Sequence, residues 1–184
     1  MTDQTDKTAT PILIPAWIDG ELTPVEKLTA HREGLRHRAV SVFVMRDGQT
    51  LLQRRALEKY HTPGLWANTC CTHPHWGESA LDCATRRLGE ELGLPPMTLE
   101  YRGQVEYRAD VGSGMIEHEV VDIFVGTLAQ NVQPAPNPSE VMDTIWQPLD
   151  QLGAQVMENP GSFTPWLQIY LRDHAVSIFG DRAV

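Results

Sequence analysis

The sequence predicts an α/β domain, on three observations. Residues 38–45 and 117–128 are rich in β-branched and aromatic side chains and read as strands. Between them, residues 79–92 carry Leu81, Ala84, Leu88 and Leu92 at helical spacing, with charged residues off that stripe. Further helices at 149–157 and from Thr164 onward follow further strands, a mixture of both element types along one chain. At 184 residues the chain has the size of one domain, able to bury roughly two thirds of the surface that its unfolded form exposes. It divides into a polar tail at 1–10, read as disordered and without a role, and a single domain at 11–184.

Composition narrows the classes. A hydrophobic fraction of 41% and a charged fraction of 21% are ordinary for a globular domain. No apolar run approaches the roughly 20 residues of a membrane span, and no signal-peptide pattern opens the chain. Three cysteines, two of them adjacent, make no disulfide framework and point to a reducing cytoplasm. A net charge of −9 argues against a nucleic-acid partner and disfavours long-range attraction of an anion. A phosphorylated small molecule would therefore need a local cluster of cations. Neither a membrane partner nor an oligomeric state is indicated.

Taken in order, residues 12–18 form an edge strand despite Pro15, with Asp19-Gly20 as a turn. Residues 26–37 carry Lys27, His31 and His37; five residues separate the histidines, a spacing that fits no single helical face, so they converge only across a bend and on spacing alone are surface histidines. The strand at 38–45 turns at Asp47-Gly48 into a hairpin. Its returning arm delivers Arg54, Arg55 and Lys59, a basic run whose bland reading is a solvated face, before Pro63-Gly64 breaks the chain. Residues 68–74 are extended up to Pro74. A period of two then puts Cys71 and His73 on one face and Cys70 on the other, while Cys70 and Cys83 read as small buried hydrophobes.

The helix at 79–92 has marked ends: Ser79 with Asp82 approximates a capping box, and Gly93 followed by Pro95 stops it. Asp82/Arg86, Arg86/Glu90 and Arg87/Glu91 are i, i+4 pairs of opposite sign, which suit a solvated face. A strand at 100–107 leads to a Gly-rich loop at 109–115. The strand at 117–128 then places Glu117 and Glu119 on one face with Val121 and Ile123. Carboxylates on a core-type face are costly unless paired, so either they sit at a frayed strand end or a metal meets them. Three prolines in 133–138 mark a surface connection, 141–147 is a short strand, and Trp166, Ile169 and Tyr170 share a stripe on the last helix.

Glu78, then Arg86, Leu88, Glu90, Glu91, Gly93 and Leu94 follow a spacing that resembles the Nudix box of diphosphate-handling proteins. Two positions depart from it: Thr72 stands where the box opens with glycine, and Arg87 where the hydrolases have a metal-binding glutamate. With the run NTCCTHP at 68–74, the chain is similar to one branch, the type 1 isopentenyl-diphosphate delta-isomerases, from about Glu26 to Trp166.

That resemblance implies a Nudix-like fold, a central mixed β-sheet flanked by helices. It implies a metal site of His31, His37, His73, Glu117 and Glu119, the second histidine marked by Arg38-Ala39 after it. Three imidazoles and two carboxylates suit an octahedral Mn²⁺ or Mg²⁺ better than four-coordinate zinc. A second Mg²⁺, bound with the substrate diphosphate, would lie near Glu91, and Lys27, Arg55, Lys59 and Arg87 would hold the diphosphate. Moving a double bond by one carbon needs two acid/base groups on different sides of the five-carbon unit; the resemblance points to Cys71 and Glu119, with Tyr107 hydrogen-bonded to the carboxylate and Trp166 beside the developing cation. A desolvated cation over an indole face gains about 2 kcal/mol. The competing readings are a Nudix hydrolase cleaving a nucleoside diphosphate, indifferent to Cys71, and a non-catalytic Nudix-like binding module.

Overall fold

The computed structural model describes residues 11–180. The tail at 1–10 and the end of the domain at 181–184 lie outside the described residues. Three hairpins close on two-residue turns, Asp19-Gly20, Asp47-Gly48 and Ser113-Gly114, in which both residues have positive φ, the geometry that matches the twist of antiparallel strands. They join β1 (Leu13–Ile18) to β2 (Glu21–Glu26), β3 (Arg36–Arg46) to β4 (Gln49–Arg55), and β7 (Leu99–Gly112) to β8 (Met115–Thr127). The Gly-rich loop expected at 109–115 is thus mostly strand. Alternation continues past Tyr107, since Val111 and Met115 are buried, and only the turn itself needs glycine's freedom.

β3 organises the sheet. Along one edge it pairs in parallel with β8, from Arg36 opposite His118 to Met45 opposite Thr127. Its other partners divide the chain into short antiparallel contacts: β1 at His37, β6 (Cys70–Thr72) at residues 40–42, and β4 at Met45 and Arg46. β4 also pairs with β5 (Trp66–Ala67) and with β9 (Val141–Pro148). The sheet is therefore mixed, with β3 at its centre.

Helices cover both faces. On one, α3 (Leu149–Glu158), α4 (Pro165–Asp173) and α5 (Ala175–Phe179) bury Leu152, Trp166, Tyr170 and Ile178 against Phe43, Val121 and Ile123. On the other, α2 (Ala80–Leu92) buries Cys83, Ala84, Leu88 and Leu92 against Val40, Val42, Cys70 and Phe124. α1 (Lys27–Glu33) is capped by Glu26, whose carboxylate accepts from the Leu28 and Thr29 N–H groups at 2.9 and 2.7 Å. No helix among the described residues is long and apolar enough to cross a membrane.

Two details of α2 correct the sequence reading. Leu81 is 48% exposed, because the buried stripe runs through Cys83 and Glu91 instead. The Asp82/Arg86 pair does not form: Asp82 accepts from the Ser79 hydroxyl at the cap, while Arg86 donates both to Glu78 and to Glu90. At the other end, Gly93 is left-handed at φ 62°, and a Cβ there would lie 2.8 Å from the Ala135 carbonyl oxygen. The prolyl segment after β8 is pinned against this cap by the Ala135 N–H to Leu92 carbonyl bond at 2.7 Å. Gly93→Ala is expected to lose about 2 kcal/mol from the conformation alone, with the backbone clash added. Thermal unfolding should show a Tm lowered by roughly 4–8 °C; an unchanged Tm would mean that the cap relaxes freely.

Candidate active site

The site opens where β3, β6 and β8 run side by side, and β-register decides its membership. His37 lies opposite Glu119 across the parallel pair, Ser41 opposite Cys71, and Tyr107 opposite Glu119 across the antiparallel pair. Residues facing each other on neighbouring strands point to the same side of a sheet. His31 reaches this side from α1, because Gly34 ends the helix left-handed at φ 61° and turns the chain into β3. The bend that the histidine spacing required is this one. Cys71 packs against the cluster holding Val121, Ile123 and Trp166, and Cys70 belongs to the opposite face. Cys71, Glu119, Glu117, Trp166 and His73 line one cleft, together with Lys27, Arg55, Lys59, Arg87 and Glu91.

The His/Glu cluster carries a polarity problem. His31 and His37 each use Nδ1–H to donate 2.7 Å bonds to backbone carbonyls, of Lys27 and Leu35. Their Nε2 atoms are then lone-pair acceptors, buried and without a hydrogen-bond partner among the described residues. His37 Nε2 nevertheless faces Glu119 Oε1 at 3.5 Å. Two lone pairs held face to face in the interior need a cation between them. Glu119 Oε1 also lies 2.8 Å from His73 Nε2. The Tyr107 hydroxyl sits 2.8 Å from an oxygen of Glu117 and of Glu119. A phenol has one proton to donate, so the other carboxylate must carry a proton of its own or answer to positive charge.

The ionisation tendencies agree. Burial, then the neighbouring His37, lowers His31 to about 4, and burial also holds His73 well below its usual range. Both rings are neutral, as metal ligation requires. Burial and the charge of Glu119 push Glu117 well up, whereas Glu119 is held low against the burial penalty by the His37 and His73 rings beside it. Ligand atoms of His31, His37, His73 and Glu119 lie within 4.8 Å of one another, and so do those of His31, His61 and Glu117. The donor set fits a divalent cation.

Cys71 faces a different environment. The Ser41 hydroxyl donates to its Sγ at 3.1 Å and lies 3.0 Å from the Tyr170 hydroxyl. Since Ser41 has spent its single proton on sulfur, the phenol donates to the serine. Burial, followed by the charges of Glu119 and Glu117, pushes the Cys71 thiol well up, with the Ser41 bond pulling against them. The Trp166 ring is fixed by its Nε1–H to the Asn68 side-chain oxygen at 3.1 Å and faces the Arg55 guanidinium at 5.3 Å.

The cations at the mouth are not free, as a simple basic run would leave them. Lys59 pairs with Glu140, and Arg87 pairs with Glu91 at 2.5 Å, Glu90 at 2.9 Å and Glu140 at 3.4 Å. Glu91 also accepts from the Gln53 amide at 2.9 Å. Arg55 is buried and donates to the His61 carbonyl at 3.1 Å. Lys27 lies over the Tyr60 ring at 5.3 Å. Sequence reasoning missed Ser41, Asn68, Tyr170 and His61. Ser41 and Tyr170 carry no motif, Asn68 opens the NTCCTHP run without a role assigned to it, and His61 sits in an irregular segment where no periodicity assigns a face.

Comparison with known proteins adds a second line. The NUDIX domain family matches residues 35–167. A relative from Jannaschia sp., named isopentenyl-diphosphate Delta-isomerase, is 62% identical over 168 residues, 91% of this chain and 96% of its own. One of the same name from Cereibacter sphaeroides is 62% identical over 170 residues, 92% and 96% of the two chains. Among solved structures, DR0079 from Deinococcus radiodurans superposes with a TM-score of 0.67 at 15% identity, covering 85% of this chain and 94% of that one. At that identity the likeness shows the fold alone.

Proposed function

The chain belongs to the NUDIX family and, within it, to the isopentenyl-diphosphate Delta-isomerases, and from that membership we propose a mechanism in which Cys71 and Glu119 exchange protons with the substrate. The protein interconverts isopentenyl diphosphate and dimethylallyl diphosphate. A proton adds to the terminal alkene carbon, leaving a tertiary cation, and a proton leaves the neighbouring methylene. One group must start protonated and the other ionised, and turnover exchanges those states. The observation that carries this reading is the placement of the Cys71 thiol and the Glu119 carboxylate along one cleft, with their proton affinities pushed in opposite directions.

Tyr107 orients Glu119 through its hydroxyl, and Ser41 orients the sulfur. Trp166, held by Asn68, presents an indole face to the developing cation. His31, His37, His73, Glu117 and Glu119 would hold a divalent ion, Mn²⁺ or Mg²⁺ by donor hardness and number. When bound, it supplies positive charge that keeps Glu119 fixed and ionised. Lys27, Arg55, Lys59 and Arg87 would bind the diphosphate, and Glu91 would help to hold a second Mg²⁺ that arrives with it. The cysteines are free thiols, which suits a reducing cytoplasm. Hydrolysis is disfavoured by Arg87, a cation tied into ion pairs where the hydrolases need a ligand.

Incubation with isopentenyl diphosphate and Mg²⁺ in heavy water is expected to place deuterium in the allylic product. Release of inorganic phosphate instead would favour hydrolysis, and binding without label the non-catalytic module. The basic mouth gives a pH prediction. Burial, then the nearby Lys59 and Arg87 charges, lowers Lys27 to about 8. Its ammonium is present below that pH and lost above it, so kcat/KM should fall as pH rises through about 8. In Lys27→Arg this limb should vanish, since guanidinium stays charged; persistence of the limb would assign it elsewhere.

A further inference from the structure

His61 is the buried histidine that the mechanism above leaves unused. It lies between β4 and β5, within 4.8 Å of His31 and Glu117 by its ligand atom. Its Nε2 is 3.6 Å from Glu117 Oε1, just beyond hydrogen-bond reach. Its ring stacks on His31 at 5.7 Å and 22°. Nδ1 is 3.1 Å from the Thr62 hydroxyl, the nearer of its two polar neighbours; an Arg55 nitrogen is 3.5 Å away but donates to the His61 carbonyl at 3.1 Å. With Nδ1–H given to Thr62, His61 repeats the arrangement of His31 and His37: Nδ1 anchored, the Nε2 lone pair turned toward a buried glutamate. Thr62 takes a left-handed φ of 46° to stand there, a conformation that β-branched residues rarely adopt. Such strain persists where the surroundings over-determine it.

Two groups of ligand atoms share His31, namely His31, His37, His73 and Glu119, and His31, His61 and Glu117. A neutral imidazole offers one nitrogen lone pair, so His31 serves one ion at a time. The two groups therefore meet at His31, and an ion taking all of them would draw His61 and Glu117 toward His37, His73 and Glu119. We infer that His61 is a sixth ligand of the ion that His31, His37, His73, Glu117 and Glu119 would hold. Six protein donors leave no coordination position for water or substrate. An ion so enclosed would supply charge and hold Glu119, as in closed sites. This rests on the metal reading above.

The test is pulsed electron paramagnetic resonance on Mn²⁺-loaded protein, counting coupled imidazole nitrogens, with water proton relaxation counting inner-sphere water. Four imidazoles and no bound water are expected in the wild type; three imidazoles and one water in His61→Ala, with Mn²⁺ affinity in chelator competition lowered roughly 10–100-fold. Three imidazoles in the wild type would overturn the assignment of His61 while leaving the metal centre intact. Absence of nitrogen coupling would overturn the metal reading and this inference together. The wild-type count decides the matter even if His61→Ala does not fold, and His61→Gln, closer in volume, gives a second variant.

Discussion

Cys71→Ser is expected to lower kcat by roughly 10²–10⁴-fold, the usual contribution of a positioned acid/base group. The side chains are nearly isosteric, so what changes is proton affinity: a hydroxyl neither gives nor takes a proton as a thiol does. Affinity for the diphosphate should move little, because Lys27, Arg55, Lys59 and Arg87 are untouched. Lost turnover with retained binding in calorimetry would identify a chemical role. The surroundings sharpen the expectation, since the Ser41 hydroxyl that donates to Cys71 at 3.1 Å can donate equally to a serine, leaving the local packing in place. A loss smaller than about tenfold would remove Cys71 from the chemistry and return the hydrolase reading to consideration.

Glu119→Gln should be at least as severe, because one carboxylate serves two purposes. On the proposed mechanism it is a proton-transfer group, and it is also the point at which His37, His73 and Tyr107 meet, at 3.5, 2.8 and 2.8 Å. An amide keeps the shape but can neither hold a proton for transfer nor offer negative charge to a cation. Turnover should fall by 10³-fold or more, and metal content, measured on the purified variant, should fall with it. A variant that keeps its metal and loses turnover would isolate the proton role. One that keeps turnover would exclude Glu119 as acid or base.

The strands and helices were legible because their signals are local. Asp47-Gly48 and Asp19-Gly20 name their own turns, Ser79 and Gly93 bracket α2, and alternation separates Cys70 from Cys71 within three residues. Errors arose where a local pattern competes with packing. Leu81 keeps helical register with the apolar stripe, yet it lies at the first turn of α2 where nothing covers it, and buried Glu91 takes its cost back through Arg87 and Gln53.

By itself the sequence determined the α/β class, the element order and the inventory of thiols, imidazoles and carboxylates, since each follows from neighbours along the chain. Tertiary structure alone decided which of these groups meet. Pairing of β3 with β6 and β8 sets Ser41 beside Cys71 and His37 beside Glu119, across 30 and 82 residues of chain, and the irregular segment after β4 brings His61 to the same place. Strand register is fixed by which faces are buried together, an energy summed over the whole sheet.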